Sequence, residues 1–133
     1  MDDRSIQVAE NCLHAAQDGS MTFPQIVGKL IEEGFESYTV DYRTSTATFF
    51  RPDGDSIGLP LRRHALAIAE DFDTGAIKAA IKEAQQLVPG YTYEGFCKKV
   101  MSAGCAGYIV SFSGRRALYF GRTAETHVEH FPQ

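Results

Sequence analysis

Residues 102–121 read SAGCAGYIVSFSGRRALYFG, and residues 32–51, EEGFESYTVDYRTSTATFFR, carry the same pattern seventy positions earlier. When each residue is aligned with the one seventy positions later, no gap is needed from residue 22 to residue 50. Gly34 then matches Gly104, and most other matches are aromatic or aliphatic. The matches fall where a helix followed by two strands needs apolar side chains, so they predict a repeated structural unit.

The first half of each copy predicts an amphipathic helix. Thr22 is a good N-cap residue, and Gln25 three residues later completes a capping box. Apolar residues recur at helical spacing until Gly34, which suits the left-handed conformation that ends many helices. The second copy has the same arrangement between Thr92 and Gly104.

The second half of each copy predicts β-strands, because the apolar period changes from 3.6 to 2 after each glycine. Tyr38 and Tyr108 begin runs in which large apolar residues alternate with smaller or polar ones. A short polar link, a second strand and a third extended segment that ends at a proline follow in both copies. Each unit, about residues 22–60 and 92–132, is therefore expected to be a helix and a three-stranded meander.

The predicted fold class is α+β. We expect the two pseudosymmetric units to form a largely antiparallel sheet with helices on one face. Helical apolar spacing predicts an N-terminal helix over 4–17 and a bridging helix over 74–88. Residues 66–69 fit either a short strand or a helix, and the alternation of Leu66 and Ile68 favours the strand. We interpret residues 1–133 as one domain with an internal repeat.

Composition restricts the class of protein. The net charge of −4 and the pI near 5.5 make nucleic acid an unexpected partner, because binding to it requires a basic face. No apolar run approaches the length of a membrane span, and the acidic start, MDDR, is unlike a secretory signal. Three cysteines are an odd number with no CxxC spacing, which is typical of a reducing compartment. We expect a cytoplasmic protein that contacts no membrane.

Three segments resemble a known bacterial family. They read AAQDGSMTFPQIVGKLIEEGFESYTVDY, YEGFCKKVMSAGCAGYIVSF and LYFGRTAETHVEHFP, and the likeness extends from about residue 5 to Pro132. The family is an uncharacterised one of unknown function, often carried on prophages and labelled "phage envelope protein". The resemblance implies a small α+β domain and brings no activity, cofactor or catalytic residue. His127 and His130 depart from the pattern, which more often has apolar or basic residues there.

The face of the sheet opposite the helices is the first candidate for function. Its expected members form a possible interaction face: Thr39, Asp41, Ile109, Ser111 and Tyr119. Such a half-polar face can bind a partner, pair with a second copy or simply contact water.

Arginines are the second candidate. Arg43, Arg115 and Arg116 lie in the two equivalent hairpin links, where they form a possible anion-binding patch at one edge of the sheet. The competing interpretation is ordinary solubilising charge on turns and edge strands.

Histidines and cysteines are weaker candidates. On a strand, His127 and His130 face opposite sides, so one metal ion cannot readily bind both. Cys97 and Cys105 occupy positions that the repeat gives to apolar packing. We predict no metal site, no cofactor and no catalytic residue.

The sequence thus favours a non-enzymatic binding module that uses the uncovered sheet face or edge, with a homodimer or a protein partner. The alternative is a small-ligand-binding protein or minor enzyme with a cleft between the two units. The residues expected in such a cleft are Tyr38, Asp41, Tyr42, His64 and Tyr108.

Overall fold

The computed structural model describes residues 1–132 and contains four helices and six strands in that range. The helices are α1 (Asp3–Asp18), α2 (Phe23–Glu32), α3 (Thr74–Gln86) and α4 (Tyr93–Ser102). The strands are β1 (Ser37–Asp41), β2 (Thr46–Phe50), β3 (Ser56–Pro60), β4 (Cys105–Ser111), β5 (Arg116–Gly121) and β6 (Thr126–His130). The predicted α+β class is confirmed, and the order of two helices and three strands occurs twice along the chain.

The helices begin where the capping residues predict. The Thr22 side chain accepts a hydrogen bond from the Gln25 backbone, and the Gln25 side chain accepts one from the Thr22 backbone, which is the expected capping box. Thr92 caps α4 in the same way through the Gly95 backbone N–H. Gly34 and Gly104 follow the two helices with φ near +96°, a conformation that only glycine adopts readily.

All six strands form one antiparallel sheet in the order β3-β2-β1-β4-β5-β6. The central pair, β1 and β4, places Thr39 opposite Ile109, residues that the offset of seventy aligns. Because these two strands are antiparallel, equivalent parts of the two halves lie at opposite ends of the sheet. This consequence determines where the candidate functional residues fall.

One face of the sheet is covered by the helices and carries the core. On β1 the side chains of Tyr38 and Val40 are buried, and on β4 those of Tyr108 and Val110 are buried with them. The helices contribute fully buried aliphatic residues, among them Leu30, Ile77 and Val100. The opposite face has no helix packed on it among the described residues, and we call it the open face.

The predicted strand at Leu66–Ala69 is wrong. Residues 61–73 connect the two halves without regular structure, and Leu66 is exposed. Single hydrogen bonds attach this segment to the rest of the protein. One of them runs from the Ala69 backbone N–H to the Met101 carbonyl oxygen. Two alternating apolar residues are too few to specify a strand or its register.

Candidate functional site

The open face contains four of the five residues predicted for it. Thr39 and Asp41 on β1 are half-buried, as is Ser111 on β4, and Ile109 between them is 40% exposed. The expectation for Tyr119 is wrong, because this side chain is 7% exposed and belongs to the core. In the register of β4 and β5, Tyr119 lies opposite Tyr108, and cross-strand partners share one face of a sheet.

Three aliphatic side chains form a continuous row across the open face of the second half. Ile109 on β4 pairs with Leu118 on β5, which pairs with Val128 on β6. Ile109 and Val128 are 40% and 38% exposed, and Leu118 between them is half-buried. We call these three residues the apolar row. It gives the open face a hydrophobic centre on which no helix packs within residues 1–132.

The two hairpin links that carry arginines do not come together. Arg43 lies just beyond the end of β1, where its guanidinium binds Asp41 at 2.8 Å and reaches over the ring of Phe120 on β5. Arg115 and Arg116 lie at the other end of the sheet, because Arg116 pairs with Ser111. The predicted anion patch of Arg43, Arg115 and Arg116 is therefore wrong, since antiparallel pairing of β1 and β4 separates equivalent links.

Asp41 and Arg43 form a local ion pair. Burial alone would raise the pKa of the Asp41 carboxyl, but hydrogen bonds from the Arg43 side chain and backbone outweigh it and lower that pKa. Asp41 is therefore ionised at neutral pH, and it holds the Arg43 guanidinium on the open face. This arginine is committed to a partner within the chain.

The histidines of β6 lie on opposite faces, as a strand requires. His127 is opposite Tyr119 on the helix-covered side, and its Nε2 lies 2.9 Å from a carboxylate oxygen of Glu129. His130 pairs with Arg116 on the open side. In the part of the chain that the structure describes, no group of three or more potential metal ligands is close enough to hold an ion.

The three cysteines are free thiols in the core. Cys12, Cys97 and Cys105 are each at most 1% exposed. Burial raises the pKa of the Cys97 thiol to about 11 and that of Cys105 to about 12. Both remain protonated at neutral pH, and a protonated thiol is a poor nucleophile.

A cavity of about 230 Å³ lies at the end of the sheet beneath the connecting segment 61–73. Its wall contains Tyr42, which follows β1, and Met101 of α4, so it joins the two halves of the molecule. The connecting segment supplies most of the remaining lining, including Arg62, Arg63 and His64. The same region continues into a smaller recess lined by Tyr93, Glu94 and Cys97. We call the larger space the interhalf cavity.

Two buried polar atoms at the interhalf cavity lack hydrogen-bond partners within residues 1–132. They are the hydroxyl oxygen of Tyr42 and Nδ1 of His64. Tyr42 is 7% exposed, and burial raises the pKa of its hydroxyl well above the ordinary value. The Cys97 thiol lies beside that hydroxyl and affects its pKa, but sulfur is a weak hydrogen-bonding partner.

The structure brings together only part of the cleft predicted from sequence. Tyr42 and His64 both line the interhalf cavity. Tyr38 and Tyr108 are buried in the core, where the Tyr108 hydroxyl is hydrogen-bonded to that of Tyr93 at 2.7 Å. Asp41 lies on the open face with Arg43. A cleft between the two units was predicted, but three of its five expected members are absent from this cavity. Strand alternation places Asp41 on the other face, and Tyr38 and Tyr108 are buried elsewhere in the core.

Comparison with known families gives the chain its classification. A family model described as "Protein of unknown function (DUF1398)" matches residues 5–129. The chain belongs to this family. No curated protein matches the DUF1398 chain. The phage label and the prophage association that the resemblance implied stay predictions.

Within residues 1–132, none of the helices combines the length and the hydropathy that a bilayer span demands.

The sequence did not identify the arginines that line the interhalf cavity of the DUF1398 protein as a separate group. Arg62 and Arg63 belong to the irregular connection, which has no periodicity to place it. One signal was present in the repeat itself, because Tyr42 matches Phe112 and Leu61 matches Phe131. Positions where two related halves differ in polarity or size point to a local function that only one half has.

Proposed function

We propose that this DUF1398 chain is a non-enzymatic binding module that associates with a second copy of itself through the open face of its sheet. The apolar row of Ile109, Leu118 and Val128 carries the proposal. Side chains of this kind are stabilised when they leave water, by about 25 cal/mol per Å² of apolar surface. An uncovered antiparallel sheet face is a common place for such association.

The two halves of the open face support a specific interface. Thr39, Thr48 and Gly58 form the row of the first half at positions equivalent to the apolar row. This row is aliphatic on β4, β5 and β6 and polar or small on β1, β2 and β3, where the open face carries Phe50 at one end. A twofold dimer requires a patch that is complementary to itself, and an aliphatic row facing its own copy meets that condition.

The solution mass tests this proposal. Light scattering over a hundredfold concentration range should give twice the chain mass of 14.7 kDa for the natural sequence. Ile109→Lys should give a monomer with an unchanged far-ultraviolet circular dichroism spectrum. Thr48→Lys, a matched change on the first half of the same face, should leave the dimer intact. A monomer for the natural sequence at every concentration, or a dimer for Ile109→Lys, overturns the proposal.

The proposal also covers the domain organisation and the cellular location of the chain. We infer that residues 1–133 form one domain, with the two repeat units at about 22–60 and 92–132. The core supports this, since it takes residues from both halves into one cluster. Three unpaired, buried thiols support a reducing location such as the cytoplasm.

A further inference from the structure

The interhalf cavity has features of a built site. Its wall combines an apolar part with cationic and hydrogen-bonding groups. The apolar part consists of Leu61, Leu66, Ile68 and Met101. Small-molecule sites in proteins combine apolar walls with placed polar groups, and the polar groups of this wall belong to Tyr42, Arg43, Ser45, Arg62, Arg63 and His64.

The unsatisfied polar atoms of this cavity require a partner. A buried hydroxyl with no hydrogen bond destabilises a folded protein by about 1–3 kcal/mol, so such groups are rare without a bound molecule. Tyr42 and His64 both line the cavity, and each has one such atom, the Tyr42 hydroxyl oxygen and His64 Nδ1. Both atoms are closed off from water, so a molecule in the cavity gains bonds to them when the two side chains turn toward it.

The charge of the wall indicates an anion. Arg43, Arg62 and Arg63 line the interhalf cavity, and no Asp or Glu does so within residues 1–132. Arg43 is already paired with Asp41 at 2.8 Å. Arg62 is 3.9 Å from Glu94 of the neighbouring recess, a long and exposed pair. Arg63 forms no ion pair with any described residue, so its guanidinium is available. Arginine binds carboxylates through two parallel hydrogen bonds.

The equivalent place at the other end of the sheet provides an internal comparison. The backbone frame is the same, since Leu61 donates to the Ser45 carbonyl at 2.8 Å and Phe131 donates to the Arg115 carbonyl at 2.8 Å. There, however, the Phe131 ring packs edge-on against Phe23. The first-half frame carries Leu61 in place of that ring and leaves space beside Tyr42. The same backbone arrangement therefore holds packed aromatic side chains at one end of the sheet and a cavity at the other.

We propose that the interhalf cavity binds a small organic monocarboxylate with a compact apolar body. The carboxylate would bond to Arg63 and Arg62 and to the Tyr42 hydroxyl, and the apolar body would lie against Met101. A volume of about 230 Å³ holds a molecule of benzoate or hexanoate size, since one water molecule accounts for about 30 Å³ of liquid. The apolar wall favours an organic acid over inorganic phosphate, which has no apolar part to bury.

Calorimetric titration of the purified chain tests the ligand class. The probes are benzoate and hexanoate, each compared with its amide, which has the same shape and no charge, and with inorganic phosphate. Ligands of this size have few atoms to contribute, so the titration extends to about 10 mM. At least one carboxylate should bind, with its amide at least tenfold weaker. Absence of carboxylate binding, equal binding of the amides, or binding of phosphate alone overturns the proposal.

Variants locate the binding. Arg63→Gln and Tyr42→Phe should each weaken carboxylate binding about tenfold or more, because each removes a bond to the charged group. Arg4→Gln is the matched control, since Arg4 pairs with Glu33 at the opposite end of the sheet, and it should leave affinity unchanged. If both Arg63→Gln and Tyr42→Phe bind the carboxylate as tightly as the natural sequence does, the assignment to this cavity is overturned. Arg43 also lines the cavity and binds Asp41 on the open face, so each titration is repeated with Ile109→Lys, whose affinity should equal that of the natural sequence.

Discussion

At the scale of single residues, Gly34 and Gly104 have the same conformation and different surroundings. A Cβ on Gly104 would collide with the backbone carbonyl oxygen of Asp71, whereas one on Gly34 would meet the end of the flexible Arg51 side chain at 2.8 Å. Both substitutions to alanine force a residue with Cβ into positive φ, which costs about 1–2 kcal/mol. Gly104→Ala should lower the free energy of unfolding by at least about 2 kcal/mol more than Gly34→Ala does, because the backbone of Asp71 cannot move aside as easily as a side chain. Urea denaturation measures both, and equal losses would contradict the argument.

Two buried tyrosines have hydroxyls in opposite situations. The Tyr108 hydroxyl is bonded to Tyr93, so Tyr93→Phe leaves it unsatisfied and should cost about 1–3 kcal/mol of unfolding free energy. The Tyr42 hydroxyl has no partner within residues 1–132, so Tyr42→Phe should cost nothing or stabilise the protein. Thermal and urea unfolding of both variants, measured without added ligand, provides the comparison. A larger loss for Tyr42→Phe than for Tyr93→Phe would show that its hydroxyl has a partner.

At the scale of elements, helix α3 ends in a strained way. Its C-cap, Leu87, has φ of +47° and is 55% exposed, so it adopts a left-handed conformation with little burial to offset the cost. Leu87→Gly should raise the free energy of unfolding by about 1 kcal/mol, because glycine adopts this conformation without strain. Leu87→Ala is the control, since it shortens the side chain and keeps the strain. Denaturant unfolding that shows no difference between the two variants would contradict the prediction.

The elements themselves were largely predictable from sequence, because their signals are local. The capping box at Thr22, the glycine after each of α2 and α4, and the change of apolar period all lie within a few residues. The prediction of a strand in the connecting segment 61–73 was wrong because this segment has few local signals. It contains two alternating apolar residues and no cap, and its position depends on the elements around it.

At the scale of the whole molecule, prediction failed where the relation between the halves decides position. The antiparallel pairing of β1 with β4 separates Arg43 from Arg115 and Arg116, and no local pattern specifies that pairing. The β4–β5 register places Tyr119 in the core. A shift of one residue would move every side chain of β5 to the other face of the sheet. The interhalf cavity needs both halves and the irregular connection, so only its aromatic and histidine members could be anticipated.

The core as a whole makes the protein sensitive to alkaline pH. Burial raises the pKa of the Cys97 thiol from 9.0 to about 11, and it raises the pKa of buried tyrosines, including Tyr108, above 10.0. Below about pH 9 both folded and unfolded chains keep the Cys97 proton, so its contribution to stability is complete. Between about pH 9 and 11 only the unfolded chain releases it, and the free energy of unfolding should fall by about 1.4 kcal/mol per pH unit from this group. Tyrosines add to the loss above about pH 10.

Urea denaturation at pH 8, 9, 10 and 11 should therefore give a free energy of unfolding that is level at first and then falls with increasing slope, by the linkage above. Cys97→Ala is the diagnostic variant, because it is less stable at pH 8 through lost packing and should lose less stability between pH 9 and 10 than the natural sequence. Arg4→Gln, which changes only an exposed pair, should follow the natural profile. A free energy of unfolding that stays level to pH 11 would mean that these thiols and phenols reach water in the folded protein, and the aromatic core would then be looser than its burial indicates.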